Sequence, residues 1–124
     1  MPTVCSVLLI EDIPRIREIF KHALTAFGCK IVGEAESQRA GVSLYQNLRP
    51  DLTLLDIRLA MGDGIHALQE ILELNPDAYV VMLSTMDEIS VRNRCIEIGA
   101  KGFIAKGQKM EAVIDALEEH IVSK

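Results

Sequence analysis

One pattern constrains this chain more than any other. Short apolar runs, each closing on polar residues, alternate with longer stretches whose apolar residues recur at helical spacing. The run Leu52-Thr53-Leu54-Leu55-Asp56 is the clearest, set between Arg49-Pro50-Asp51 and Gly62-Asp63-Gly64. So short a run, bounded by turn residues, reads as a strand buried on both faces. Four others share its character. Val4 to Ile10 runs into Glu11-Asp12, Lys30 to Ala35 is a short second strand, Tyr79 to Leu83 runs into Ser84-Thr85, and Phe103-Ile104-Ala105 ends at Lys106.

The intervening stretches read as helices. Pro14 suits a first turn, where its missing N–H costs nothing. Ile16, Ile19, Phe20, Ala23, Leu24 and Phe27 then mark one face, and Gly28 stops the helix. Ser37 is the expected cap of a second helix that buries Ala40, Leu44 and Leu48. A third carries Ile65, Leu68, Ile71 and Leu72 and breaks at Asn75-Pro76-Asp77. The fourth, from about Ile89 to Ile98, has a ragged stripe interrupted by Arg92, Asn93 and Arg94, and is expected to be the least stable. Met110, Val113, Ile114, Leu117 and Ile121 mark the last.

Strands joined by helical crossovers run parallel, with right-handed connections. The expected fold is therefore α/β, a three-layer (βα)5 sandwich with its five-stranded parallel sheet in the flavodoxin-like order 2-1-3-4-5. At 124 residues, residues 1–124 are expected to form a single domain with no further domain in this chain. The 18 acidic residues outnumber 13 Lys and Arg, and no basic stripe is present, which argues against direct nucleic-acid contact. Cys5, Cys29 and Cys95 lie in apolar segments without metal-ligand spacing, and read as reduced core thiols of a cytoplasmic protein. The N-terminal residues lack the pattern of a signal peptide, and no apolar run is long enough to span a bilayer.

The strand ends carry the chemistry. Glu11 and Asp12 follow strand 1, Asp56 closes strand 3, Ser84 and Thr85 follow strand 4, and Lys106 follows strand 5. Each alone is ordinary, since acids after a strand often cap a helix and a single Lys is usually solvated. In this topology, however, they converge on one sheet edge, where open α/β sheets bind ligands. Three carboxylates together repel and raise one another's pKa, and a hard divalent cation such as Mg2+ relieves that conflict. A carboxylate nucleophile, Mg2+, a lysine and a hydroxyl make a phosphoryl-transfer site.

Taken as an ordered set, these residues resemble the receiver domain of bacterial two-component response regulators, of the chemotaxis-regulator kind. The likeness runs from about Val4 to Ile121. It rests on Leu9-Ile10-Glu11-Asp12, on Pro50-Asp51-Leu52 through Leu55-Asp56-Ile57-Arg58-Leu59, and on Met61-Gly62-Asp63-Gly64. Val81-Met82-Leu83-Ser84, Gly99-Ala100-Lys101-Gly102-Phe103 and Lys106 complete it. The resemblance implies that Asp56 accepts a phosphoryl group from a sensor histidine kinase or phosphotransfer protein. It implies Mg2+ held by Glu11, Asp12, Asp56 and the backbone carbonyl of Arg58, with Lys106 paired to the phosphoryl group. Ser84 becomes a switch hydroxyl and Phe103 a switch aromatic that turns inward. The fourth helix, fifth strand and fifth helix become the face toward an output domain, an effector protein or a second copy. Such a protein assists its own phosphorylation and dephosphorylation but is otherwise no enzyme.

The chain departs from the family pattern in its loops. Gly107 follows Lys106 where proline is usual, so a trans peptide is expected there. Ala60 also replaces a usual proline, and Thr85 stands where small residues are favoured. The resemblance implies that Arg58, Thr85 and Met86 occupy positions whose side chains tune the lifetime of the phosphoryl group in this family. A haloacid-dehalogenase-like phosphatase would want an acid where Arg58 stands, and a flavin-mononucleotide binder would not place Glu11-Asp12 against a phosphate. The standing alternative is a receiver-like module that works through protein interaction without phosphorylation.

Overall fold

Two strands, Leu52–Asp56 and Val80–Ser84, are buried at every residue. A continuous apolar run has this fate when helices cover both faces of a sheet. A computed structural model describes residues 5–85 and 89–122 of the chain. Ten elements alternate: β1 (Ser6–Ile10), α1 (Pro14–Ala26), β2 (Lys30–Ala35), α2 (Gln38–Leu48), β3 (Leu52–Asp56), α3 (Gly64–Leu74), β4 (Val80–Ser84), α4 (Ile89–Ile98), β5 (Gly102–Ala105) and α5 (Met110–Val122). The strands pair in parallel in the order β2-β1-β3-β4-β5, the order expected from the alternation. Val4, expected at the start of the first strand, lies outside the described residues.

The core has two layers, one on each side of the sheet. Leu8, Ile10, Leu55 and Met82 pack with Tyr45, Leu68, Ile71 and Cys95 on the α2–α3–α4 side. Val7, Leu9, Leu54, Val81 and Leu83 pack with Phe20, Leu24, Val113 and Leu117 on the α1–α5 side. The expected stripes of α1, α3 and α5 thus largely face the sheet, although Ile19 and Met110 stay at the surface. Pro14 opens α1, and Gly28 follows it at φ 86°, a left-handed conformation that favours glycine.

The second helix turns a different face inward from the one its leucines suggest. Gly41 and Tyr45 are buried, whereas Ala40 and Leu48 are exposed and Leu44 is half-buried. The cause is close approach. A Cβ on Gly41 would lie 2.6 Å from the Ile10 side chain, so β1 presses directly on the helix backbone. Tyr45 can sink its ring because its hydroxyl accepts a hydrogen bond from Asn75 Nδ2 at 3.0 Å. Ser37 caps this helix as expected, accepting from the Ala40 N–H at 3.2 Å.

The three cysteines are buried and unbridged. Burial, reinforced by the neighbouring Cys5, pushes the Cys29 thiol up to about 11, so it is an unreactive thiol. No peptide among the described residues is cis, so Lys106–Gly107 is trans. No helix among them is long and apolar enough to cross a membrane. The amino edge of the sheet is closed by a reciprocal clasp. The Asp51 carboxylate accepts from the Ser6 N–H at 2.9 Å, and the Asp51 N–H donates to Ser6 Oγ at 2.9 Å. The carboxyl edge is built otherwise.

Candidate functional site

At that edge the ladder register brings strand ends level. Ile10 pairs with Leu55, Asp56 with Leu83, and Ser84 with Ala105. Whatever follows each strand therefore meets its neighbours. β1 is prolonged by one hydrogen bond, from the Glu11 N–H to the Ala35 carbonyl at 2.9 Å. Glu11 is fully buried. Its Oε2 accepts from the Ile13 N–H at 3.1 Å and its Oε1 from Lys106 Nζ at 2.6 Å. Burial pushes the Glu11 carboxyl above its usual range, while the Lys106 hydrogen bond opposes that rise.

Asp56 is 4% exposed at the end of β3. Its Oδ1 accepts from the Arg58 N–H at 3.3 Å, and its Oδ2 lies 3.2 Å from Lys106 Nζ. Lys106 reaches both acids because its own N–H is fixed to the Ser84 carbonyl at 2.6 Å, continuing the β4–β5 ladder. Its side chain is 5% exposed, so one buried ammonium bridges two buried carboxylates. Asp12 completes the acidic group. Glu11, Asp12 and Asp56 each offer a carboxylate oxygen, all within 4.8 Å of one another. Three hard oxygen donors in that space suit a small divalent cation, and Lys106 alone does not balance them.

A cavity of about 170 Å³ opens here, lined by Asp12, Asp56, Arg58, Ser84, Thr85 and Lys106 with Ile13 and Ile57. Larger hollows lie beside Met61, but neither joins the carboxylates to the lysine. Arg58 and Thr85 are exposed at the rim and Ser84 is buried. Met86 lies outside the described residues. Phe103 is half-buried. It pairs with Met82 while Ser84 pairs with Ala105, so Phe103 and Ser84 rise from the same sheet face one strand apart.

Two features escape a reading of strand ends. Gly64 reads as turn chemistry, yet its backbone packs against the end of β3. A Cβ there would stand 2.1 Å from the Asp56 carbonyl oxygen, and the Gly64 N–H donates to the Ile57 carbonyl at 2.8 Å. The loop between them is fastened outward by Gln38. Its N–H donates to the Met61 carbonyl at 3.0 Å, and its Oε1 accepts from the Asp63 N–H at 2.9 Å. The other feature is Arg17, whose Nη1 donates to the Glu11 carbonyl at 2.7 Å.

Comparison with known proteins agrees with this geometry. The response regulator receiver domain matches residues 7–118. The chemotaxis protein CheY of Thermotoga maritima is 33% identical over 113 residues, 91% of this chain and 94% of that protein. CheY of Bacillus subtilis is 34% identical over the same shares. Among solved structures, the CheX–CheY–BeF3–Mg2+ complex of Borrelia burgdorferi superposes with a TM-score of 0.88 at 26% identity, covering 96% of this chain and 87% of that one. The response regulator domain of Thermotoga maritima CheB gives 0.87 at 27% identity, covering 98% and 96%.

Proposed function

The chain belongs to the response regulator receiver domain family of two-component phosphorelay signalling, and on that footing we propose that Asp56 is its phosphoacceptor. The observation that carries this reading is the placement of Asp56: buried, at a cavity, within 4.8 Å of two further carboxylates and bridged to one of them by Lys106.

The donor is a phosphohistidine of a sensor kinase or phosphotransfer protein. An Asp56 carboxylate oxygen forms a bond to phosphorus as the P–N bond breaks, and the imidazole leaves with the electron pair. A carboxylate needs no general base for this. Lys106, already 3.2 Å from Asp56, offers a fixed positive charge to the equatorial oxygens. Glu11, Asp12 and Asp56, with the Arg58 carbonyl, are the groups to hold Mg2+, which when bound neutralises charge on the phosphoryl oxygens. Arg58 and Thr85 at the rim tune access of water to the product.

The new charge and acceptor oxygens draw Ser84 toward the site, and Phe103 moves into the space left beside it. α4 is the element suited to follow, since Cys95 is its sole buried residue among those described. The face of α4, β5 and α5 then meets an output domain, an effector or a second copy. A cytoplasmic location fits the phosphodonor and the three free thiols.

Intact-mass measurement with acetyl phosphate and Mg2+ tests the reading. A phosphoryl adduct that requires Mg2+ and disappears in Asp56→Asn is expected. Absence of any adduct, with rapid quenching and Mg2+ binding verified, would instead favour an interaction module that works without phosphorylation.

A further inference from the structure

The turn carrying Glu11 and Asp12 is anchored by the Glu11 N–H on the Ala35 carbonyl and by the Ile13 N–H on Glu11 Oε2. Ile13 occupies the cap position of α1 without a side-chain cap, and Pro14 next to it has no N–H. The Glu11 carbonyl accepts from Arg17, one helical turn into α1, at 2.7 Å from Nη1. That guanidinium is itself held. Its Nε lies 3.4 Å from Glu34 Oε1 and its Nη2 3.1 Å from Glu36 Oε1, with the Arg17 side chain only 15% exposed. Glu34 belongs to β2 and Glu36 follows it, so the clamp spans β1, α1 and β2.

From this we infer that Arg17 is a positioning residue for the metal-holding turn, resting on the reading that Glu11, Asp12 and Asp56 hold Mg2+. All three nitrogens of its planar fork are engaged, two by carboxylates and one by the Glu11 carbonyl. The peptide joining Glu11 to Asp12 is thereby fixed in orientation. That peptide sets where the half-exposed Asp12 carboxylate stands relative to the buried Asp56. Residues that orient a metal's ligands act this way in general, and losing them weakens binding without touching the metal.

Positioning and simple charge make opposite predictions, which makes the inference testable. Arg17→Met removes a positive charge near an acidic site, and by charge alone Mg2+ would bind more tightly. If Arg17 positions the turn, Mg2+ binds more weakly. Arg17→Lys keeps the charge, so by charge alone the affinity stays, whereas positioning again predicts loss because an ammonium cannot supply the fork. Mg2+ titration followed by backbone amide NMR reads the affinity and verifies the fold in the same spectra. The expected result is a dissociation constant about tenfold higher in Arg17→Met and a smaller increase in Arg17→Lys. Unchanged or tighter binding in either folded variant overturns the inference while leaving the metal site standing. Absence of Mg2+ binding by the unmodified chain overturns the metal reading, and the inference with it.

Discussion

Thr53 sits fully buried in β3, and its hydroxyl has no hydrogen-bond partner among the described residues. An unpaired buried hydroxyl is a standing cost, and valine has the same shape without it. Thr53→Val should therefore stabilise the domain by about 1 kcal/mol, raising its melting temperature by about 4 °C for a chain of this length. An unaltered or lower melting temperature in a thermal scan would mean that the hydroxyl is satisfied in solution. Gly64 gives the opposite case. Since a methyl there would press on the Asp56 carbonyl and the Ile57 backbone, Gly64→Ala should cost about 2–3 kcal/mol in chemical denaturation and slow phosphorylation of the folded fraction. At this scale the sequence was legible where chemistry repeats along it. Glu11, Asp12, Asp56 and Lys106 each end or follow an apolar run, so their position could be read directly. Gly64 and Arg17 could not be read so, because their importance lies in what approaches them across the fold.

Among the elements, α4 and α2 show what hydrophobic spacing does and does not reveal. The ragged stripe of α4 corresponds to a helix that buries Cys95 alone among its described residues, leaving Ile89 and Ile96 at the surface. Its amides are expected to exchange with deuterium faster than those of α1 and α3, and equal protection would remove its claim to be the mobile element. In α2 the leucines misled because Gly41 contributes contact without a side chain, and Tyr45 brings its own hydrogen-bond partner. α5 carries a further prediction. His120 stacks edge-on against Tyr79, its Nδ1 lies 3.0 Å from the Tyr79 hydroxyl, and its ring covers Gly102. Burial lowers its pKa below 6.5, against a smaller opposing pull from Glu119. The unfolded chain then binds a proton more readily than the folded one, so this contribution is intact above about pH 6.5 and is lost as pH falls below it. In stability measured from pH 7.5 to 5, His120→Phe should flatten the decline seen in the unmodified chain. Parallel pH profiles would show that the histidine does not drive it.

Across the whole molecule, the two sheet edges differ in how their charges are balanced. At the amino edge, Ser6 and Asp51 bond each other reciprocally. At the carboxyl edge, three carboxylates face a single ammonium, so the folded chain stores repulsion there. Strand order alone foretold this convergence, because parallel strands with helical crossovers deliver every strand end to the same side. What the order could not foretell is that Lys106 bridges Glu11 and Asp56, since that depends on the reach of one side chain. The repulsion gives a linkage measurable in the whole domain. A cation that binds the folded chain alone, at ten times its dissociation constant, adds about 1.4 kcal/mol. For this chain length that is about 6 °C in melting temperature. Asp56→Asn removes one of the competing charges, so the metal-free variant should be more stable than the unmodified chain by about 1 kcal/mol. The same substitution takes away a ligand, so most of the Mg2+ increment should vanish. Melting curves of both proteins with and without Mg2+ separate the two effects. Equal Mg2+ increments would mean that the ion binds elsewhere, and a destabilised metal-free variant would mean that the Lys106 pairing outweighs the repulsion among the acids.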